Sequence, residues 1–294
     1  MCGIFGVLTQ FEYVTTGITS KALQQSKECI KELMFLSEER GTDSTGILAI
    51  DKGNSAHFRA AHKITMYKAA MSASTFVDTE GFKNILKSAT KTTVALVGHT
   101  RQKTHGTPLD NRNNHPHKSG YIFGVHNGII SNFKKLVKEE SLTLLGKCDS
   151  EVIFALIEKF LKEAQSITKG TRTENVSHPL CYDDQLIYAV RKTAAKLVGS
   201  YACFVVNAEK ANKVILFRNG SPLHIRALET EKQLLFASRS DYLRKAYEKI
   251  DKGHENFNRL VKLKLPRKSG MLVDLGFEYK ANTSWSDRFK TFTL

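Results

Sequence analysis

Short apolar runs with strand character come in blocks along this chain, interrupted by a few long amphipathic helices, and that order limits the fold more than any other feature. Strands are expected at 4–8, 47–50, 94–97 and 121–125. Six more follow at 201–206, 214–217, 223–226, 234–237, 261–265 and 271–275. Helices are expected at 21–39, 150–162 and 184–198, each with apolar residues recurring on one face. Leu23, Ile30, Leu33 and Met34 make that face in the first, with Ser20 as its cap and Gly41 at its stop. Val152, Ile153, Leu156, Ile157, Phe160 and Leu161 make it in the second, and Leu186, Ile187, Val190, Ala194 and Leu197 in the third. Between the last two, 166–183 reads as a polar loop. One strand does not follow one helix, so a parallel βαβ sheet is excluded and an α+β fold with largely antiparallel sheets is expected. No repeat, low-complexity tract or Pro/Gly linker divides the chain. The expectation is one domain over 2–280 with a tail at 281–294.

Composition removes several classes. Hydrophobic residues are 41% of the 294, enough for a core and too many for a disordered chain. No apolar run reaches the roughly 18 residues of a membrane helix, and the N-terminus lacks the pattern of a signal peptide, so no membrane association is expected. Five cysteines, an odd number with no CxxC pair, argue against a disulfide framework and a four-cysteine zinc site, and point to the reducing cytoplasm. The formal charge of +15 attracts nucleic acid, acidic proteins or phosphorylated substrates. The basic residues are scattered, however, as on a Lys-rich solvated surface, and no zinc-finger spacing or RNP motif is present. There is no GxxxxGK[ST], no GxG, no G-x-S-x-G and no G-x-C-x-G, which excludes P-loop, Rossmann and nucleophile-elbow sites. His115 and His117 form an H-x-H without a carboxylate or cysteine at ligand spacing. They read as ordinary hydrogen-bonded histidines, and neither a metal nor a cofactor is expected.

The chemistry points to Cys2. Removal of Met1 before a small residue leaves a cysteine bearing both a thiol and a free α-amine, whose ordinary pKa of about 7.7–8.0 lets it act as a base. Base and nucleophile are then held together by covalent geometry. Four further clusters lie at expected strand or helix ends, where functional side chains are displayed: Arg40–Gly46 (RGTDSTG), Gly98–Gly106 (GHTRQKTHG), His126–Asn132 (HNGIISN) and the DSEVI beginning at Asp149. Each has a plain structural reading alone; Asp149, for one, reads as a helix N-cap.

Taken in order with MCGIFGV, these motifs resemble the class II glutamine amidotransferases, the family with an N-terminal cysteine nucleophile. The likeness is nearest to the glutaminase half of glucosamine-6-phosphate synthase and amidophosphoribosyltransferase. It covers residues 2–276, with weaker echoes in Gly199–Ala202, Arg218–Leu223 and Ala237–Ser240. It implies a four-layer αββα sandwich of two mainly antiparallel sheets, the Ntn-hydrolase fold. It also implies hydrolysis of L-glutamine to L-glutamate and ammonia through a Cys2 thioester, with the α-amine as base. Asn127 and Gly128 would form the oxyanion hole, Arg101 would bind the glutamine α-carboxylate and Asp149 its α-ammonium. Thr104 and His105 would line the pocket, and Arg40 would support the Asn127 loop.

Gln102 and Lys103 depart from the Trp-Ala or Tyr-Ser usual after the arginine, and the segment 56–93 matches poorly and receives no role. No SGGxDS pyrophosphatase loop or phosphoribosyl-binding loop follows. Ammonia is therefore expected to pass to a separate synthase subunit, with a nucleotide or nucleic-acid pathway the weaker suggestion of the charge. Two other readings stay open. One is an N-terminal-cysteine hydrolase of γ-glutamyl or other amides, which need not keep the Arg101–Asp149 pair. The other is a catalytically silent regulatory or binding protein on the same fold, in which Cys2 or Asn127 would be expected to be lost.

Overall fold

Every residue of β1 (Gly3–Thr9) is buried, as expected of an apolar run covered on both faces. In the computed structural model, which describes residues 2–9, 19–51, 63–170, 181–228, 232–250, 260–276 and 288–294, this strand is the middle of a seven-stranded sheet. Its order is β11 (Leu260–Leu263), β9 (His224–Leu228), β10 (Gln233–Ala237), β1, β4 (Thr93–Arg101), β2 (Ser44–Asp51) and β3 (Lys63–Ala69). A second sheet of six runs β13 (Phe289–Thr293), β12 (Ser269–Asp274), β8 (Lys213–Asn219), β7 (Gly199–Asn207), β6 (Ile122–Ile130) and β5 (His117–Ser119). Neighbouring strands pair antiparallel throughout both sheets.

The period-2 geometry of a strand sends alternate side chains to opposite faces, and the cores follow it. Ile4 and Leu8 of β1 meet Ala202, Phe204 and Val206 of β7 in a core between the sheets. Phe5 and Val7 face the other way, onto Ile30, Leu33 and Met34 of α1 (Ser20–Ser37) and Leu243 and Ala246 of α7 (Ser240–Ile250). Tyr201, Cys203 and Val205 face out from β7 onto α5 (Glu151–Gly170) and α6 (Tyr182–Lys196). The result is the expected αββα sandwich.

Several local expectations are corrected. Thr19, not Ser20, caps α1: its Oγ1 accepts from the Ala22 N–H at 3.0 Å. The helix stops at Ser37, a 3₁₀ turn fills Glu38–Arg40, and Gly41 follows that turn. The polar loop expected from 166 is helical as far as Gly170, and the 171–180 part of that loop lies outside the described residues. The segment given no role holds β3, α2 (Ala73–Phe76) and α3 (Glu80–Ser88), whose Phe76 and Phe82 pack edge to face at 5.8 Å. The chain after 280 is not only a tail. Its Phe289–Thr293 forms edge strand β13, where Phe292 packs on the α6 side, while 281–287 lie outside the described residues. A short helix α4 (Phe133–Glu139) and helix α7 complete the set, which was incomplete in the sequence reading.

Candidate active site

Cys2 precedes β1, and the antiparallel register sets Gly3 opposite Thr100, so the thiol lies where β4 ends. Its Sγ donates to the Gln102 carbonyl at 3.4 Å, and Arg40 Nε donates to the Cys2 carbonyl at 2.8 Å. Arg40 is held there by Gly41. A Cβ at Gly41 would lie 2.3 Å from the Arg101 carbonyl carbon, so only glycine lets the RG turn close on the end of β4.

The second sheet approaches from the other side. Ser238, just past β10, accepts at Oγ from the Ile4 N–H at 3.0 Å and from Asn127 Nδ2 at 3.3 Å. One hydroxyl thereby ties the nucleophile strand to Asn127 of β6. Gly128 follows with φ +146°, a conformation that side chains resist, and a Cβ there would sit 1.9 Å from the Ser200 carbonyl oxygen. The HNG motif expected at the end of a strand is thus inside β6, which runs on to Ile130.

Arg101, the last residue of β4, is 2% exposed. Its Nη1 donates to Asn114 Oδ1 at 2.9 Å, and its Nη2 to the carbonyls of His105 and, at 3.0 Å, Gly106. Asp149 is not the cap its sequence position suggests. α5 begins at Glu151, and Asp149 Oδ2 instead accepts the Ile130 N–H at 2.8 Å. Its Oδ1 lies 3.5 Å from His105 Nδ1, so His105 bridges the Arg101 turn to Asp149. The His105 ring is set edge-on against Phe133 at 4.9 Å. Thr104 lies in the exposed turn between Arg101 and His105.

Burial pushes the Cys2 thiol up to about 11, while the Gln102 hydrogen bond and the positive charges of the chain's amino terminus and Arg101 pull it down. A thiol raised in this way is mostly protonated at pH 7, so as a nucleophile it would need a base to remove its proton. Behind Asn127 the fold gathers four histidines that the sequence scatters. The rings of His99 and His115 stack at 3.8 Å, His115 meets His117 at 4.4 Å, and His126 lies 6.4 Å away. His99 Nε2 is 3.0 Å from the His126 carbonyl, and His126 Nδ1 is 2.8 Å from Ser150 Oγ. The reading of His115 as ordinarily hydrogen-bonded is corrected: neither of its ring nitrogens has a partner among the described residues, and at His117 Nε2 lacks one there too. Burial lowers all four, His99 to about 3 and His115 and His117 well below the usual value. Beside them Lys68 donates to the carbonyls of Asn114 at 2.6 Å and Pro116 at 2.8 Å, and burial lowers it to about 8. Among the described residues no group of three His, Cys, Asp or Glu is placed to hold a metal. Sequence reasoning missed Ser238 as a bridge and Ser150 as the partner of His126; the faint A-S-R-S echo was the one signal for the first.

Comparison with known proteins agrees with this arrangement. The family model for the glutamine amidotransferase domain matches residues 99–245, half of the chain. The glutamine–fructose-6-phosphate aminotransferase (isomerizing) of Shewanella oneidensis is 30% identical over 229 residues, covering 76% of this chain and 30% of the relative. That of Staphylococcus aureus is 29% identical over 227 residues, with the same coverage. The chain therefore spans about a third of the length of these curated relatives. Among solved structures, glutamine phosphoribosylpyrophosphate amidotransferase from B. subtilis, complexed with ADP and GMP, superposes with a TM-score of 0.60 at 17% identity. The match covers 99% of this chain and 49% of that one. A second, the allosteric regulatory enzyme of purine biosynthesis, gives 0.61 at 16%, again over 99% of this chain and 49% of the other. On the family model and the shared architecture, the chain belongs to the glutamine amidotransferases of class II, the N-terminal-nucleophile type.

Proposed function

We infer that residues 2–294 hydrolyse L-glutamine and release ammonia for transfer. The observation that carries this reading is the convergence on Ser238, whose one hydroxyl joins the Cys2 strand to Asn127 across the two sheets. After Met1 is removed, the Cys2 α-amine takes the thiol proton while Sγ attacks the side-chain amide carbon of glutamine. The oxyanion is received by Asn127 Nδ2 and the Gly128 N–H. The C–N bond breaks as the α-ammonium returns its proton to the leaving ammonia, leaving a thioester. Water, deprotonated by the same amine, then releases glutamate. Arg101 holds the substrate α-carboxylate and Asp149 its α-ammonium, with Thr104 and His105 along the pocket and Arg40 fixing the Cys2 backbone. A ligand lacking either charge would leave a buried partner unpaired, which favours glutamine over other amides.

The relatives' names couple glutamine to amination of fructose-6-phosphate, and the chain matches about a third of them. The ammonia would pass to an acceptor such as a separate synthase subunit. The five free thiols suit a reducing cytoplasm, and the charge of +15 suits an anionic partner or acceptor, nucleotide or nucleic acid included. No described helix is long and apolar enough to cross a membrane. The test is intact mass after incubation with a γ-diazoketone analogue of glutamine, with any tag at the C-terminus only. Loss of Met1 and one adduct on Cys2 is expected. A retained Met1, or faster cleavage of γ-glutamyl dipeptides than of glutamine in a substrate panel, would overturn the reading. Unchanged glutamine use by a Cys2→Ala complex would point instead to a silent fold.

A further inference from the structure

An open cleft of about 420 Å³ lies at the β11 edge of the first sheet, lined by none of the residues placed around Cys2. Its polar lining is basic: Arg218 from β8, His224 and Arg226 from β9, Lys262 from β11 and Lys264 just beyond it, with Ser240 at the start of α7. The register explains the concentration. Lys262 is paired directly with Arg226, and residues two apart on a strand share a face, so His224, Arg226, Lys262 and Lys264 project to the same side. Like charges directly opposite on paired strands oppose folding, so this arrangement is one the fold bears without structural gain.

Two further observations separate the cleft from a solvated lysine face. The arginines are half-buried and anchored, not free in solvent. Arg218 Nε donates to the Ser221 carbonyl at 2.9 Å and its Nη1 to that of Leu265 at 3.3 Å, while Arg226 Nη1 reaches the Leu260 carbonyl at 3.5 Å. Nor does any carboxylate among the described residues line the cleft. Asp241, whose charge reaches His224, is engaged by the Arg239 fork at 2.9 and 3.0 Å. Burial and the charges of Arg218, Lys262 and Arg226 lower His224, with Asp241 acting in the opposite direction.

We propose that this cleft binds a small phosphate-bearing molecule. The volume lies in the range of small-ligand sites, and two anchored guanidinium forks with two lysines and a hydroxyl match the oxygens of a phosphate dianion. Leu263 and Pro266 in the wall give the carbon skeleton of a phosphate ester an apolar surface. The site is independent of the glutaminase reading, although the turn 238–240 serves both the cleft, through Ser240, and Asn127, through Ser238.

Isothermal titration calorimetry of the full chain tests it, with inorganic phosphate, a hexose 6-phosphate and a nucleoside monophosphate as probes. The free hexose, the nucleoside and sodium sulfate serve as controls. Saturable one-to-one binding of at least one phosphate ester, absent for its dephosphorylated form, is expected. The Arg226→Met/Lys262→Met variant should weaken it at least tenfold, with melting temperature and Cys2 labelling by the γ-diazoketone unchanged. Should that variant unfold, Lys262→Met/Lys264→Met, confined to exposed side chains, is expected to weaken binding at least threefold. Equal affinity for inorganic phosphate and the esters supports recognition of the phosphate alone, and tighter ester binding supports recognition of the skeleton as well. No saturable binding of any phosphate probe, sulfate binding as tightly as phosphate, or equal binding by variant and wild type would each overturn the proposal.

Discussion

Mild acid should destabilise this protein through its buried histidines. His99, His115, His117 and His126 are each 1–2% exposed and neutral in the fold, with burial the main reason their protonation is disfavoured. A base whose pKa is lower folded than unfolded keeps its full stabilising share above the unfolded value, near 6.5. It loses that share as pH falls toward the folded value. From pH 8 to pH 5 a histidine with a folded value of about 3, as at His99, costs about 2 kcal/mol. His115, His117 and His126 are lowered as well and add in the same direction. The carboxylates held below their usual range, such as Glu140, Glu158 and Asp241, lose stability only below about pH 4.5, so the window from 6.5 to 5 isolates the histidines. Urea unfolding followed by far-UV circular dichroism between pH 8 and pH 5 measures the effect. His115→Leu removes one titrating ring and two unpartnered nitrogens. It should flatten the slope and leave stability at pH 8 unchanged or higher. A stability constant within about 1 kcal/mol from pH 7 to pH 5, or an unaltered slope in the variant, would refute the reasoning.

Other predictions concern the site itself. Cys2→Ala should abolish ammonia release from glutamine and leave the melting temperature unchanged, read by coupled ammonium assay and calorimetry; residual turnover above background would show another nucleophile. Asn127→Ala should lower kcat by about 10²–10³ with little change in KM, and a loss below tenfold would remove Asn127 from the oxyanion hole. Asp149→Asn should raise KM for glutamine on the order of 10- to 100-fold, the worth of a hydrogen bond to a charged group, and more than it lowers kcat. Gly128→Ala should cost about 1–3 kcal/mol of stability, because its Cβ would meet the Ser200 carbonyl oxygen at 1.9 Å; denaturation unchanged from wild type would show that β6 relaxes freely.

The sequence by itself determined the class of fold, the strands that matter and the identity of the family. Those features are local: Ile4, Leu8, Phe204 and Val206 announce strands by alternation, and the chemistry of Cys2, Asn127 and Arg101 travels with short motifs. What only the tertiary structure decided depends on register between distant strands. Asp149 sits where a helix cap is expected, yet its carboxylate accepts the Ile130 N–H at the end of β6. Ser238 gained its role from a pairing that spans 234 residues of chain. The four histidines, the residues after 288 and the Arg226–Lys262 pairing were likewise invisible, since no short-range pattern records which strand lies opposite which. Local periodicity sets which face of an element is apolar. Antiparallel register, fixed by burying all those faces at once, decides which polar groups end within hydrogen-bonding distance.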